Sequence, residues 1–184
     1  MKLTQNLFWF TLVELLVVIT VVMLLFAAGT QLDFNRIWNS QRIEIFNTKI
    51  LNHYETVRNN ALLGKWIDTT IDVPDSWKIQ YSTAGSWTIN SQYTLDNGTN
   101  WVNFNEFTPN IPEKHSIKNI ACYELDGSSA QDSNNTAEII FNWNNITLGW
   151  RCTDSARILQ FETHFLDHVQ TFRINVLNGT MDIK

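Results

Sequence analysis

Few side chains in this sequence could do chemistry, and the most conspicuous is a single acid. Glu14 stands in a run, residues 10–28, that is otherwise apolar apart from Thr11 and Thr20. A carboxylate near lipid costs about 2.5–3.5 kcal/mol on insertion scales, so an acid in such a run is read as functional. Two other groupings invite a ligand. His164, Asp167 and His168 have a spacing that would suit a metal on a helix, but the pattern around them reads as strand or turn, and a solvated face is expected. Asp126 and Asp132 bracket a Gly/Ser/Asn loop that could hold calcium, yet it lacks the alternating acids and closing glutamate of an EF-hand. No phosphate-binding loop, no Gly-x-Ser-x-Gly and no Cys–His pair at a recognisable spacing occurs. The expectation is a protein without catalytic residues, cofactor or metal.

Composition narrows the setting. The chain has 184 residues, with 18 Asp and Glu against 13 Lys and Arg, a net charge of −5, and no basic block. That disfavours electrostatic binding to nucleic acid. Cys122 and Cys152 lie in a half of the chain rich in Asn, Thr and Ser. In an exported protein they would form a disulfide, the alternative being two free thiols. The four Asn-x-Thr sequons, at Asn97, Asn134, Asn145 and Asn178, follow from the Asn-rich composition.

The elements that must position Glu14 are readable from periodicity. The run at residues 10–28 is long enough for a membrane-spanning helix. A removed signal peptide is the alternative, with Ala27-Ala28-Gly29 as its cleavage site. Leu32, Ile37, Ile43, Phe46, Ile50, Tyr54, Val57 and Ala61 then recur at helical steps, and no proline interrupts residues 1–73. One helix is therefore expected from about Phe10 to Leu63, ended by Gly64. Beyond it, strand-like runs cover residues 76–81, 86–95, 116–125, 137–143, 146–152, 157–165 and 171–177, separated by turn clusters. Asn178-Gly179 is expected to close a hairpin of residues 172–176 onto 181–183. The expected fold is α+β: a long N-terminal helix, its first half transmembrane, packed on an antiparallel sheet.

The stretch Phe10-Thr11-Leu12-Val13-Glu14-Leu15-Leu16-Val17-Val18-Ile19 resembles the N-terminal motif of type IV prepilins and pseudopilins. The resemblance covers about 20 residues at one end of the chain. It implies a leader at residues 1–9, cleavage between Trp9 and Phe10 by a prepilin peptidase, and N-methylation of Phe10 by the same enzyme. It further implies a helix over 10–63 with a transmembrane part at 10–30, and a globular β domain over 64–184. In the family the acid corresponding to Glu14 neutralises the terminal amine of a neighbouring subunit. Other pilin subunits, the peptidase and membrane lipid are the implied partners, and the cytoplasmic membrane, then a surface or periplasmic filament, the implied location. Lys2 supplies the leader's positive charge. Residues 54–65, with Arg58-Asn59-Asn60-Ala61-Leu62, are similar to the helix end of minor pseudopilins of the H type. A single-pass binding or adhesin domain that never polymerises is the rival expectation.

Trp9 departs from the pattern, because the family's leader ends in glycine. The subunit stays uncleaved, the peptidase is unusual, or the residue is not tryptophan. The chain has 8 Trp and only 7 Gly, where average usage would give roughly 13 Gly. Trp66, Trp87, Trp101 and Trp150 sit where turns recruit glycine. A lineage decoding UGA as glycine explains both facts, and a Trp-rich domain is the alternative. On sequence alone codons 9, 38, 66, 77, 87, 101 and 150 are candidates, and Trp143, in an alternating run, is the most plausible true tryptophan.

Overall fold

The computed structural model describes residues 11–29, 34–65, 72–83, 88–105, 109–129, 136–149 and 152–184. The chain divides into two compact units, Met1–Ser40 and Gln41–Lys184. Helix α1 (Leu12–Gly29) opens at Thr11 and stops at Gly29, a residue with very weak helix propensity. Helix α2 (Phe34–Leu63) is closed by Gly64 at φ +59°, and the Lys65 N–H donates to the Asn60 carbonyl at 3.0 Å. That six-to-one bond is the Schellman closure that left-handed glycine permits.

Two expectations about the helix are corrected. The single helix expected over residues 10–63 is two helices. The transmembrane half does not stand either: among the described residues no helix is long and apolar enough to cross a membrane. The 18 residues of α1 span about 27 Å, and Glu14 occupies the first turn. Residues 15–29, beyond the acid, reach only about 22 Å, against roughly 30 Å of hydrocarbon. The single-pass anchor over residues 10–30, and the inner-membrane location drawn from it, fall with that length.

The Gln41–Lys184 unit holds two antiparallel sheets where one was expected. The first has the order β3 (Val102–Asn103), β2 (Thr88–Thr94), β1 (Ser76–Ser82), β5 (Thr136–Asn142), β6 (Asn145–Leu148). The second runs β4 (His115–Tyr123), β7 (Ile158–Phe165), β8 (His168–Asn175), β9 (Thr180–Ile183). The chain leaves the first sheet after β3, enters the second at β4, returns for β5 and β6, then finishes in the second. Period-two alternation marks each strand but carries no record of which sheet it joins. The strand expected over 146–152 ends at Leu148, and the hairpin onto the last strand forms, with Asn175 opposite Thr180 and Gly179 at φ +66°.

The core lies between α2 and the inner faces of both sheets. Phe46, Ile50, Tyr54, Val57 and Ala61 of α2 join Trp77, Ile79 and Tyr81 of β1, Ala137, Ile139 and Phe141 of β5, Leu159 and Phe161 of β7 and Phe172 and Ile174 of β8. Tyr81 of the first sheet stacks on Phe161 of the second at 4.6 Å, and Phe161 stacks in turn on its cross-strand neighbour Phe172 at 5.0 Å. Trp77 is fully buried in this core.

Cys122 of β4 and Cys152, which follows β6, are joined in a disulfide with Cα atoms 5.8 Å apart. The bridge ties the second sheet to the chain leaving the first. It spans a separation of 30 residues. Replacing both cysteines by alanine is expected to lower unfolding free energy by about 3–4 kcal/mol in chemical denaturation, chiefly by freeing the unfolded chain.

Candidate functional site

The N-terminal turn of α1 is built by two residues that satisfy each other. Thr11 donates its backbone N–H and its Oγ1–H to Glu14 Oε2, both at 3.1 Å, and Thr11 Oγ1 accepts the Glu14 N–H at 3.3 Å. This is a capping box, in which residues three apart satisfy donors that a helix start leaves without partners. The pattern Thr11-Leu12-Val13-Glu14 carries that signal in the sequence, and the reading of Glu14 as an assembly acid passed over it. Oε2 takes both Thr11 donors, while Oε1 has no hydrogen-bond partner among the described residues. An acidic group near a helix N-terminus also suits the macrodipole.

Behind this turn α1 is apolar on every side. Leu12 is 78% exposed, Leu16 60%, Met23 68% and Phe26 71%, so no azimuth of the helix is covered. Thr20 is accommodated by donating to the Leu16 carbonyl at 2.6 Å. A helix that is hydrophobic all round belongs in a buried setting. The arrangement is chemically simple: one carboxylate at the end of an uncovered apolar rod. Trp9 and Phe10, the expected cleavage and methylation positions, lie outside the described residues.

The other sequence candidates do not converge. His164 pairs with Glu162, Nε2 to Oε2 at 2.9 Å, at the end of β7, and Asp167 lies in the turn before His168 opens β8. Asp126 accepts the Ser128 N–H and Oγ–H at 2.8 and 2.7 Å, which holds its carboxyl below the usual range, and Asp132 lies outside the described residues. Among the described residues no three His, Cys, Asp or Glu side chains come together as a metal site.

Four polar features that sequence reasoning missed are structural. On the outer face of the first sheet Lys78 and Glu138 form a mostly buried pair at 3.6 Å, with Gln80 Nε2 donating to Glu138 at 2.9 Å. The pair floors a cleft of about 830 Å³ walled in part by Trp101, whose ring lies 4.4 Å from Lys78 Nζ. Asp96 organises the loop that carries Trp101; hydrogen bonds from Thr94, Asn100 and Thr99 lower its pKa to about 2. On α2, His53 Nε2 shares a 2.6 Å hydrogen bond with Ser91 Oγ of β2, but both are buried and His53 Nδ1 has no partner among the described residues. A nucleophile–base pair needs access and an orienting third group, and this one has neither. His115 is sandwiched between Phe46 at 4.6 Å and Phe165 at 4.3 Å.

Burial lowers the His53 pKa from 6.5 to about 4, and burial lowers that of His115. Between about pH 6.5 and 4 the unfolded chain therefore binds a proton at His53 that the folded chain refuses. The stabilisation is complete above about pH 6.5 and is lost as pH falls toward 4, by up to about 1.4 kcal/mol per pH unit for one group. Thermal melts from pH 7.5 to 4.5 are expected to show this decline, and His53→Gln to make it shallower.

No protein-family model matches the chain, and no curated protein or solved structure matches it.

Proposed function

We propose that this protein is a structural subunit, a minor one, of a type IV pilus, a type II secretion pseudopilus or a competence filament. One observation carries the reading: α1 is an uncovered apolar rod with its one acid in the first turn. A rod exposed on all azimuths is covered best by several like rods, which is what a helical bundle of subunits supplies. Within such a bundle Glu14 would be withdrawn from water, and its unpartnered Oε1 would take a cation. A buried carboxylate without a partner is strongly destabilising, so a neighbour's terminal amine both relieves it and fixes the axial register of the incoming subunit. Cleavage before Phe10 and methylation of the new terminus, which the sequence motif implies, would provide that amine.

A non-polymerising binding module is the second reading, and Trp9 favours it. An uncleaved leader leaves no amine at Phe10 to meet Glu14. Mass spectrometry of the protein isolated from its own host separates the two: N-methylated Phe10 supports the filament subunit, and an intact Met1 supports the module.

The capping box offers a sharper mutational test than truncation. Glutamine serves at the third position of a capping box as glutamate does, so Glu14→Gln keeps the helix start while removing the charge. Incorporation of Glu14→Gln into filaments, measured by shearing and immunoblotting, is expected to fall at least tenfold with the fold and circular dichroism unchanged. Wild-type incorporation of that variant would sink the amine–carboxylate pairing and leave Glu14 with the capping role alone.

A further inference from the structure

Trp77 and Trp143 belong to opposite environments, a difference that composition does not reveal. Trp77 is the second residue of β1, fully buried, and lies opposite Tyr93 of β2 and Phe141 of β5. Its ring meets Phe104 edge-on at 5.1 Å and Tyr93 at 5.8 Å. Its Nε1–H finds no acceptor among the described residues, so the side chain is kept for its volume. Glycine there would empty the centre of a close-packed core and place a poor strand former in the central strand of the sheet.

Trp143 is 74% exposed. With Asn144 it forms the two-residue loop joining β5 to β6, between the directly paired Asn142 and Asn145. Two-residue hairpins favour the primed turns, whose twist matches the strands they join. The type II′ form needs positive φ at its first central residue, which glycine takes freely, and Gly-Asn is one of its sequence signatures. As tryptophan, residue 143 is not among the positive-φ positions, unlike Asn97, Lys114, Asn119 and Leu166. The loop is thereby kept out of the turn its length prefers.

We propose that residue 143 is glycine in the protein its own host makes, encoded by TGA, and that residue 77 is a true tryptophan, encoded by TGG. The order reverses the one that sequence alone suggests, because burial and turn geometry weigh differently from local alternation. The inference concerns decoding and folding only and stands apart from the filament reading. It also fixes what a standard host makes: a chain with an indole on a tight turn that the native protein leaves bare.

Two measurements test it. The first is the gene sequence: TGG at codon 77 together with TGA at codon 143 supports the proposal, while TGA at 77 or TGG at 143 overturns it. The second uses the full chain made in a standard host. Trp143→Gly is expected to melt no lower than the parent and above Trp143→Ala, which removes the same indole without gaining positive φ. Trp77→Gly is expected to lose its cooperative thermal transition. Equal melting of the two variants at 143, or a cooperative transition in Trp77→Gly close to the parent's, overturns the assignment.

Discussion

The apolar stripe of α2 is the constraint on which the larger unit depends. Phe46, Ile50, Tyr54, Val57 and Ala61 follow one another at steps of four or three residues, which puts them on one face of the helix. That face covers the inner sides of both sheets, and all five residues are buried. Each large side chain taken from water contributes about 1.5–3 kcal/mol, enough in sum to order strands that separately would be marginal. Directional bonds then set where the helix sits. The Tyr54 hydroxyl donates to the Gly179 carbonyl at 3.2 Å, Asn47 bonds both Gln170 and Thr163, and His53 bonds Ser91. These contacts reach β2, β7, β8 and the last turn, so the helix is keyed to both sheets at once.

Gly179 shows how tight that key is. A side chain there would meet Arg58 Nε at 2.8 Å and Ile146 Cδ1 at 2.9 Å, and the residue has φ +66°. Glycine is required twice over, by conformation and by the close approach of α2 and β6. Such saturation of contacts in residues 41–184 contrasts with α1. The larger unit packs a core between α2 and both sheets and pairs Lys78 with Glu138, whereas the large apolar side chains of α1 are exposed and Glu14 Oε1 has no hydrogen-bond partner among the described residues. That exposed apolar surface is the feature on which the filament proposal rests.

The capping box uses one of the two Glu14 carboxylate oxygens: Thr11 engages Oε2 alone, and Oε1 has no hydrogen-bond partner among the described residues. In the polar half of the protein Asp96 likewise uses Thr94, Thr99 and Asn100 to shape a loop. Asp126, which the sequence offered as a calcium ligand, likewise accepts the Ser128 N–H and hydroxyl.

What the sequence determined by itself is local. Periodicity marked the helical runs, every strand but β3, and the last hairpin, because apolar spacing and turn residues act within a few positions of each other. Cys122 and Cys152 were legible as a pair for the same reason of count and setting. That the chain forms two helices, Leu12–Gly29 and Phe34–Leu63, was not legible, since a long apolar and amphipathic run reads as one. Nor was the division into two sheets, because alternation fixes which face of a strand is buried and leaves its neighbours open. Tertiary structure alone decided that β4 joins the second sheet, that His53 and His115 are buried, and that Trp77 fills the core while Trp143 lies on a turn. Each of these depends on residues far apart in the chain meeting in space, and no local pattern records that meeting.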